Sequence, residues 1–137
     1  MDAVDEFFRS MAPAADELPA VGRSARMLGV RVPEDIQPDA EGNVRPGIGG
    51  LSVAPASIWN LPTHRRPRGM KHGSTGKPAD RVYAVSGDAL AGHRLGARPD
   101  PHAPARHAFI EPTTVMPLTT YEDAVAATRP VWRQAWP

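Results

Sequence analysis

Prolines and glycines occur so often along this chain that little room is left for long helices. The sequence has 16 prolines and 12 glycines among 137 residues, whereas ordinary usage is roughly 5% and 7%. Proline breaks helices and glycine favours tight turns, so we expect short elements joined by many loops. The length suits a single compact domain. We therefore predict a small α+β fold, with an N-terminal helix and linker over residues 1–25 and the main domain over residues 26–137.

Several classes of protein are excluded by composition. The chain has no cysteine, so it can form neither a disulfide nor a cysteine-based zinc site. Its five histidines have no i, i+4 spacing on a predicted helix, and we expect no metal. No apolar run approaches the roughly 20 residues of a membrane helix. The first ten residues carry acids where a secretory signal carries positive charge. We expect a soluble protein that acts in the cytoplasm, without a signal peptide and without a membrane partner.

The basic residues are concentrated in the middle of the chain. Residues 42–79 contain six lysines and arginines and no acid, whereas residues 1–41 contain nine acids. The densest cationic run is His64, Arg65, Arg66 and Arg68. Such a segment indicates contact with phosphate, carboxylate or nucleic acid. The alternative is a surface run that pairs with the acidic N-terminal segment.

Periodicity predicts two helices and four strands. One helix covers residues 2–11, because its apolar residues recur at helical spacing. The other begins at Thr119 or Thr120, where the sequence matches a capping box. The predicted strands are residues 26–32, 51–53, 81–86 and 106–111. A helical turn is expected within residues 88–95, and loops over residues 62–78 and 96–105.

Two of these strands carry candidate site residues. Ser52 alternates with Leu51 and Val53, so its hydroxyl points away from the core. His107 and Glu111 share one face of the last strand but lie roughly 13 Å apart along it. That distance is too long for a direct pair, so each would act separately on one substrate. For Glu111 the alternative is a solvent-facing carboxylate at a strand end.

Gly73-Ser74-Thr75-Gly76-Lys77 superficially matches a phosphate-binding loop. A Walker loop needs glycine five residues before Gly76 and Ser or Thr after the lysine, whereas this chain has Lys71 and Pro78. Nucleoside triphosphate hydrolysis by that route is therefore not expected. The loop can still offer backbone N–H groups and Lys77 to an anion.

A set of short motifs resembles the cytosolic toxins that type VI secretion exports, the type VI effector two family, whose fold is similar to that of ADP-ribosyltransferases. The resemblance covers about residues 29–132. Its firmest parts are Gly-Gly-Leu-Ser-Val at residues 49–53 and His-x-x-Ile-x-Pro at residues 107–112. The remaining matches are Pro33-Glu34-Asp35-Ile36, Gly42, Pro46, Leu61-Pro62, Met116, Tyr121 and Ala124.

The resemblance implies an α+β domain whose two small antiparallel sheets form a cleft for NAD, the substrate. Ser52 would be the serine on a cleft-lining strand, and Arg31 or Arg26 the first-strand arginine. Glu111 would stabilise the oxocarbenium-like state as nicotinamide leaves. The pyrophosphate would be held by His64, Arg65 and Arg66.

The resemblance also implies a toxin that acts in the target cell and is neutralised by a cognate immunity protein. One departure concerns Phe109, because transferases of this class usually have Glu or Gln two residues before the catalytic glutamate. Two alternatives remain open. The basic loop could bind RNA or an acidic partner without catalysis, or the chain could be a metal-independent ribonuclease that uses His107 or His64 as acid and base.

Overall fold

The structure of the protein, a computed structural model, describes residues 5–136. It contains eight strands and two α-helices among these residues. The strands are β1 (Glu6–Met11), β2 (Asn43–Val44), β3 (Leu51–Pro55), β4 (Arg81–Ser86), β5 (Leu95–Pro99), β6 (Ala108–Pro112), β7 (Met116–Pro117) and β8 (Arg133–Trp136). The helices are α1 (Gly87–Ala91) and α2 (Leu118–Ala127), and two 3₁₀ turns cover Ile58–Asn60 and Arg129–Val131. No helix in the described part of the chain is long and apolar enough to cross a membrane.

Six antiparallel strands form the main sheet in the order β5-β6-β3-β1-β4-β8, and β2 pairs with β7 in a second, two-stranded sheet. The protein is therefore a compact α+β domain with small antiparallel sheets, and the fold class predicted from the sequence is confirmed at this level.

The main sheet is divided into two halves. Strand β1 pairs with β4 along its whole length, and β3 pairs with β6 from Leu51 to Val53. Between β1 and β3, however, only two residue pairs form, Phe7 with Pro55 and Phe8 with Ala54. The half made of β5, β6 and β3 thus joins the half made of β1, β4 and β8 at one end, and the two separate beyond Phe8. We call this separation the split.

Apolar side chains pack on both faces of the sheet. The larger cluster includes Met11, Leu51, Tyr83 and Ile110, all at most 1% exposed, together with Tyr121 of α2. The smaller cluster lies on the opposite face and consists of Phe8, Ala54, Leu61, Met70, Val82 and Ala84. Residues of β1 and β4 contribute to both clusters. These two strands are buried on both faces, which fixes the centre of the sheet.

A pair of glycines allows two neighbouring segments to pack closely against the start of β3. A Cβ atom on Gly49 would lie 2.3 Å from the carbonyl oxygen of Asp35, and one on Gly50 would lie 2.3 Å from that of Ile110. Gly49 has a φ of +122°, which side-chain-bearing residues rarely adopt. The backbone N–H of Gly50 donates to the Asp35 carbonyl at 2.9 Å. The glycine pair thus holds the segment that contains Asp35 beside β3.

The helix predicted over residues 2–11 is wrong where the structure describes it. Residues 6–11 form strand β1, and residues 2–4 lie outside the described residues. Five consecutive residues of β1 are buried, so the strand lacks the alternation that would identify it from sequence. Because β1 lies between β3 and β4, the predicted division between residues 1–25 and 26–137 does not separate two structural units.

Other element predictions are corrected in part. Residues 26–32 form turns with an isolated bridge from Val21 to Leu28, so no strand exists there. The predicted loop over residues 96–105 contains most of β5. Helix α2 begins at Leu118, one residue before the earlier of its two predicted starts, Thr119. No side chain caps its first turn. The strands predicted at 51–53, 81–86 and 106–111 are confirmed within one or two residues.

Candidate functional site

A cavity of about 620 Å³ occupies the split between the two halves of the sheet. Strand β1 contributes Arg9 and Ser10 to its wall, and β3 contributes Ser52, Val53 and Ala54. The remaining wall comes from residues 59–63, 65 and 66 and from parts of the segments 25–35 and 103–107. The volume lies within the range of about 300–1,000 Å³ that is typical of small-molecule sites. We call it the split-sheet cavity.

The split-sheet cavity is strongly cationic. Of the described residues that line it, five are arginines and one is an acid, Asp35. Asp35 pairs with Arg31, whose Nη2 lies 2.9 Å from Oδ1. Within residues 5–136 the other four arginines of the wall make no ion pair; they are Arg9, Arg65, Arg66 and Arg106. Low-dielectric walls lined by one sign of charge focus the field, so the cavity attracts anions.

Arg9 is a buried cation at the centre of this wall. Only 6% of its surface is exposed. Its guanidinium donates to three backbone carbonyls: Nη1 to Ser52 at 2.8 Å, and Nε and Nη2 to Met27 and Ser24 at 3.2 and 3.3 Å. Burial lowers the pKa of Arg9 to about 10, although the nearby charge of Asp35 opposes the shift. Arg9 therefore stays charged at neutral pH, and an anion in the cavity would offset the cost of burying that charge.

Two further polar groups of the wall are buried without a partner. Arg66 is 6% exposed; its Nη2 donates to the carbonyl of His72 at 2.9 Å, but its Nε has no hydrogen-bond partner among the described residues. The hydroxyl of Ser10 likewise has none. The Arg66 guanidinium also lies 5.3 Å from the ring centroid of Trp59, an exposed aromatic residue of the wall. Buried polar groups are usually paired with protein atoms or with ordered water, and Nε of Arg66 and the Ser10 hydroxyl have no protein partner among the described residues.

His107 lines the cavity and is paired with a carboxylate outside its wall. Its Nδ1 lies 2.7 Å from Oδ2 of Asp100, and this hydrogen bond is the main cause that lowers the pKa of the Asp100 carboxyl. Its Nε2 makes no hydrogen bond within residues 5–136. Because Ser52 pairs with Phe109, and His107 lies two residues before Phe109, Ser52 and His107 project from the same face of the strands. The structure therefore brings these two candidate residues to one cavity.

Glu111 lies in a different cluster. Its Oε1 accepts hydrogen bonds from the backbone N–H of Gly47 and from Nε of Arg98, both at 2.9 Å. The Arg98 guanidinium also stacks over Phe109, 5.0 Å from the ring centroid. Glu111 is not among the residues that line the split-sheet cavity. Its carboxylate is held by a cation and a backbone amide of its own.

The predicted anion-binding residues are divided between two cavities. Arg31, Arg65 and Arg66 line the split-sheet cavity. His64 and Lys77 line a second cavity of about 360 Å³, which shares Arg65 with the first. Arg26, the alternative first-strand arginine, also lines the second cavity, where it forms an ion pair with the buried carboxylate of Asp80.

Sequence reasoning missed three residues of the split-sheet cavity. Arg9 was hidden inside the predicted N-terminal helix, although an arginine between Phe8 and Met11 in a short apolar run is a signal for a buried functional cation. Trp59 lies in the 3₁₀ turn Ile58–Asn60 and Arg106 in the turns before β6, and only the fold brings them to the cavity.

Comparison with known proteins identifies no relative: no protein-family model matches the chain, and neither a curated protein nor a solved structure matches it significantly.

Proposed function

We propose that this protein is an ADP-ribosyltransferase-like enzyme that binds NAD in the split-sheet cavity. The observation that carries the proposal is the position of Arg9 and Ser52 on neighbouring strands, on opposite sides of the split, with the guanidinium of the first bonded to the carbonyl of the second. An arginine on the first strand and a serine on a cleft-lining strand are what the resemblance implies. In the proposal Arg9 takes the place expected for Arg31 or Arg26.

The charge of the cavity supports a ligand with two adjacent phosphates. Arg65 and Arg106 are wall residues without an ion pair among residues 5–136. Arg66 adds a third guanidinium, held in place by the carbonyl of His72. Guanidinium groups bind phosphate oxygens through two parallel hydrogen bonds, which favours the pyrophosphate of NAD over a ligand with a single weak charge.

The reaction is displacement at C1′ of the nicotinamide ribose. A hydroxyl or amine of the acceptor forms a bond to C1′ while the C1′–N bond breaks, and the electron pair of that bond leaves with neutral nicotinamide. The attacking group loses a proton, which Nε2 of His107 accepts, while Asp100 holds the ring through Nδ1. The Ser52 hydroxyl positions the ribose. Because Glu111 is outside the cavity wall, His107 takes the role of the group beside the reacting atoms.

The biological setting belongs to the same proposal and is supported by the sequence resemblance. The protein would be a type VI secretion toxin that consumes NAD in the cytosol of a target cell. An immunity protein in the producing cell would block the enzyme. Growth arrest on expression, relieved by His107→Ala, is the expected phenotype.

Calorimetric titration with NAD, together with detection of released nicotinamide, tests the proposal. The Ser52→Ala variant is informative because it removes only the hydroxyl, while the carbonyl that holds Arg9 stays in place. The proposal expects saturable binding that the variant weakens, and nicotinamide release that His107→Ala abolishes. If NAD does not bind at millimolar concentration, the proposal is wrong.

A metal-independent ribonuclease is the second candidate function, and the His107–Asp100 pair favours it. A histidine oriented by a carboxylate at the edge of an arginine-lined cavity can act as acid or base on a phosphodiester. RNA cleavage in the presence of a metal chelator and without NAD, lost in His107→Ala, would establish this function instead.

A further inference from the structure

The second cavity is a separate cationic site next to the proposed NAD site. We infer that it binds a backbone phosphate of single-stranded RNA, and that this RNA is the acceptor of the transferred ADP-ribose. The acceptor role rests on the proposed function, whereas phosphate binding at the second cavity does not. We call this cavity the loop cavity, because most of its wall comes from residues 64–78.

The charge of the loop cavity favours an anion. Its wall contains four lysine or arginine side chains, one histidine and one acid; they are Arg26, Arg65, Arg68, Lys77, His64 and Asp80. The acid is already neutralised, since Oδ1 and Oδ2 of Asp80 accept hydrogen bonds from Nε and Nη2 of Arg26. Within residues 5–136, Arg65, Arg68 and Lys77 make no ion pair. Their charge is available to a ligand.

The wall of the loop cavity has a defined backbone conformation. The amide of Gly76 donates to the carbonyl of Arg66 at 2.8 Å, and the amide of Arg68 donates to the carbonyl of Gly76 at 3.1 Å. Gly76 is buried, and a Cβ atom there would lie 2.6 Å from the Arg66 carbonyl oxygen. Only glycine allows this close approach, which places Lys77 beside the arginines of the preceding run. The cations are thus held together by the fold of the loop rather than by chance exposure on a flexible segment.

The two cavities share a wall residue, and this relation points to a polyanion. Arg65 lines both. A ligand phosphate in the loop cavity therefore lies on the other side of Arg65 from the pyrophosphate of NAD in the proposed complex. Single-stranded RNA suits this position because its phosphates are regularly spaced, and because its ribose 2′-hydroxyls and the amines of its unpaired bases are exposed nucleophiles. Such a group displaces nicotinamide at C1′ and releases its proton to His107, as in the proposed reaction.

Fluorescence anisotropy with a short single-stranded oligonucleotide that has 2′-O-methyl riboses tests the binding step. This probe cannot be cleaved by a metal-independent ribonuclease, because the attacking 2′-hydroxyl is blocked, and no NAD is present. The test variants are Lys77→Gln and Arg68→Gln, which change the loop cavity only. The control is Lys71→Gln, which removes the same charge from the same loop at an exposed residue that lines neither cavity.

We expect Lys77→Gln and Arg68→Gln to weaken binding by about fivefold or more and to reduce the salt-dependence slope by about 0.7 per lost contact. Lys71→Gln should bind as the wild type does, and all three variants should retain wild-type affinity for NAD. Equal weakening by Lys71→Gln would mean non-specific attraction, and binding of polyglutamate as tight as that of the oligonucleotide would mean a carboxylate ligand. Either result, or no binding by the wild type, overturns the inference.

The acceptor role has its own readout. Radiolabelled NAD incubated with wild-type enzyme and unmodified RNA should transfer label to the RNA, and Lys77→Gln should reduce this transfer while nicotinamide release in water continues. If nicotinamide is released but no label reaches RNA, the acceptor assignment fails and the proposed function stands. If NAD does not bind at all, the proposed function fails, and phosphate binding is judged by the anisotropy result alone.

Discussion

The Nη1 atom of Arg9 donates a hydrogen bond to the carbonyl oxygen of Ser52 at 2.8 Å, across the place where β1 and β3 no longer pair. This bond links the two halves of the sheet beyond their last residue pair. It also places a buried positive charge at the base of the split-sheet cavity. The same side chain therefore maintains the shape of the cavity and contributes to its field.

Replacing Arg9 by lysine should destabilise the protein. Lysine keeps the charge but lacks the planar guanidinium group. It therefore cannot donate hydrogen bonds to the carbonyls of Ser52, Met27 and Ser24 at the same time. These carbonyls are partly buried, and leaving one without a donor costs up to about 3 kcal/mol, so we expect a measurable loss in urea unfolding. Unchanged stability would show that the bond across the split is not structural.

Arg106→Gln should weaken NAD binding without changing stability. Arg106 is exposed, lines the split-sheet cavity and makes no ion pair among residues 5–136. Losing one charge-assisted phosphate contact should reduce affinity about tenfold. The control is Arg94→Gln, which makes the same change at an exposed residue outside the cavity. Equal affinities for the two variants would place the NAD site elsewhere.

The Asp100 carboxyl should titrate below its ordinary pKa of about 3.9. The hydrogen bond from His107 is the largest cause, and the backbone N–H of His102 adds a second, at 2.9 Å. A lowered pKa in the folded state contributes stability that is present above the unfolded pKa and is lost as the pH falls through the folded value. NMR titration of the side-chain carboxyl carbon should show the pKa rising in His107→Ala. The same pKa in both proteins would contradict the observed pair.

Tyr121→Phe should cost about 1–3 kcal/mol of stability. The Tyr121 hydroxyl is fully buried; it donates to the carbonyl of Ile110 at 2.6 Å and accepts from the amide of Leu51 at 3.1 Å. Its loss leaves two buried backbone groups of β3 and β6 unpaired. Tyr83→Phe is the control, because that hydroxyl makes one hydrogen bond, to the carbonyl of the exposed residue Glu17. We expect the control to lose clearly less stability in the same unfolding experiment.

Gly49→Ala should be more damaging than Gly73→Ala. Both glycines have positive φ, so alanine introduces about 1–2 kcal/mol of backbone strain at either position. A Cβ on Gly73 meets nothing within 4 Å, whereas one on Gly49 lies 2.3 Å from the Asp35 carbonyl oxygen. Thermal unfolding should therefore separate the two variants, with the larger loss for Gly49→Ala. Similar losses would mean that close packing beside Asp35 contributes little.

Prediction from the sequence was most accurate for strands whose pattern can be read from neighbouring residues. The alternation of residues 81–86 and of Leu51, Ser52 and Val53 identified β4 and β3, because side chains on a strand point alternately to two faces. The spacing of apolar residues in β1 was mistaken for that of a helix. A strand that is buried on both faces does not alternate between apolar and polar residues.

The candidate site was predictable for the residues that lie on or beside these strands. Ser52 and His107 were named from their strands, and Arg65 and Arg66 from the density of basic residues. Arg9 and Arg106 were not, because they are far apart in the sequence and only folding brings them to one cavity. Glu111 was named from its strand but lies outside the cavity. Folding brings Gly47 and Arg98 to its carboxylate, and the sequence did not show these contacts.

The most direct test of the account is an NMR titration of the isotope-labelled protein with NAD. If the split-sheet cavity is the binding site, the largest amide shift changes will occur at residues 9–10, 52–54 and 59–66, and Ser52→Ala will reduce them. The amides around Glu111, which lies outside the cavity, will change little. Saturable changes confined to other parts of the chain, or no change at millimolar NAD, would contradict the account.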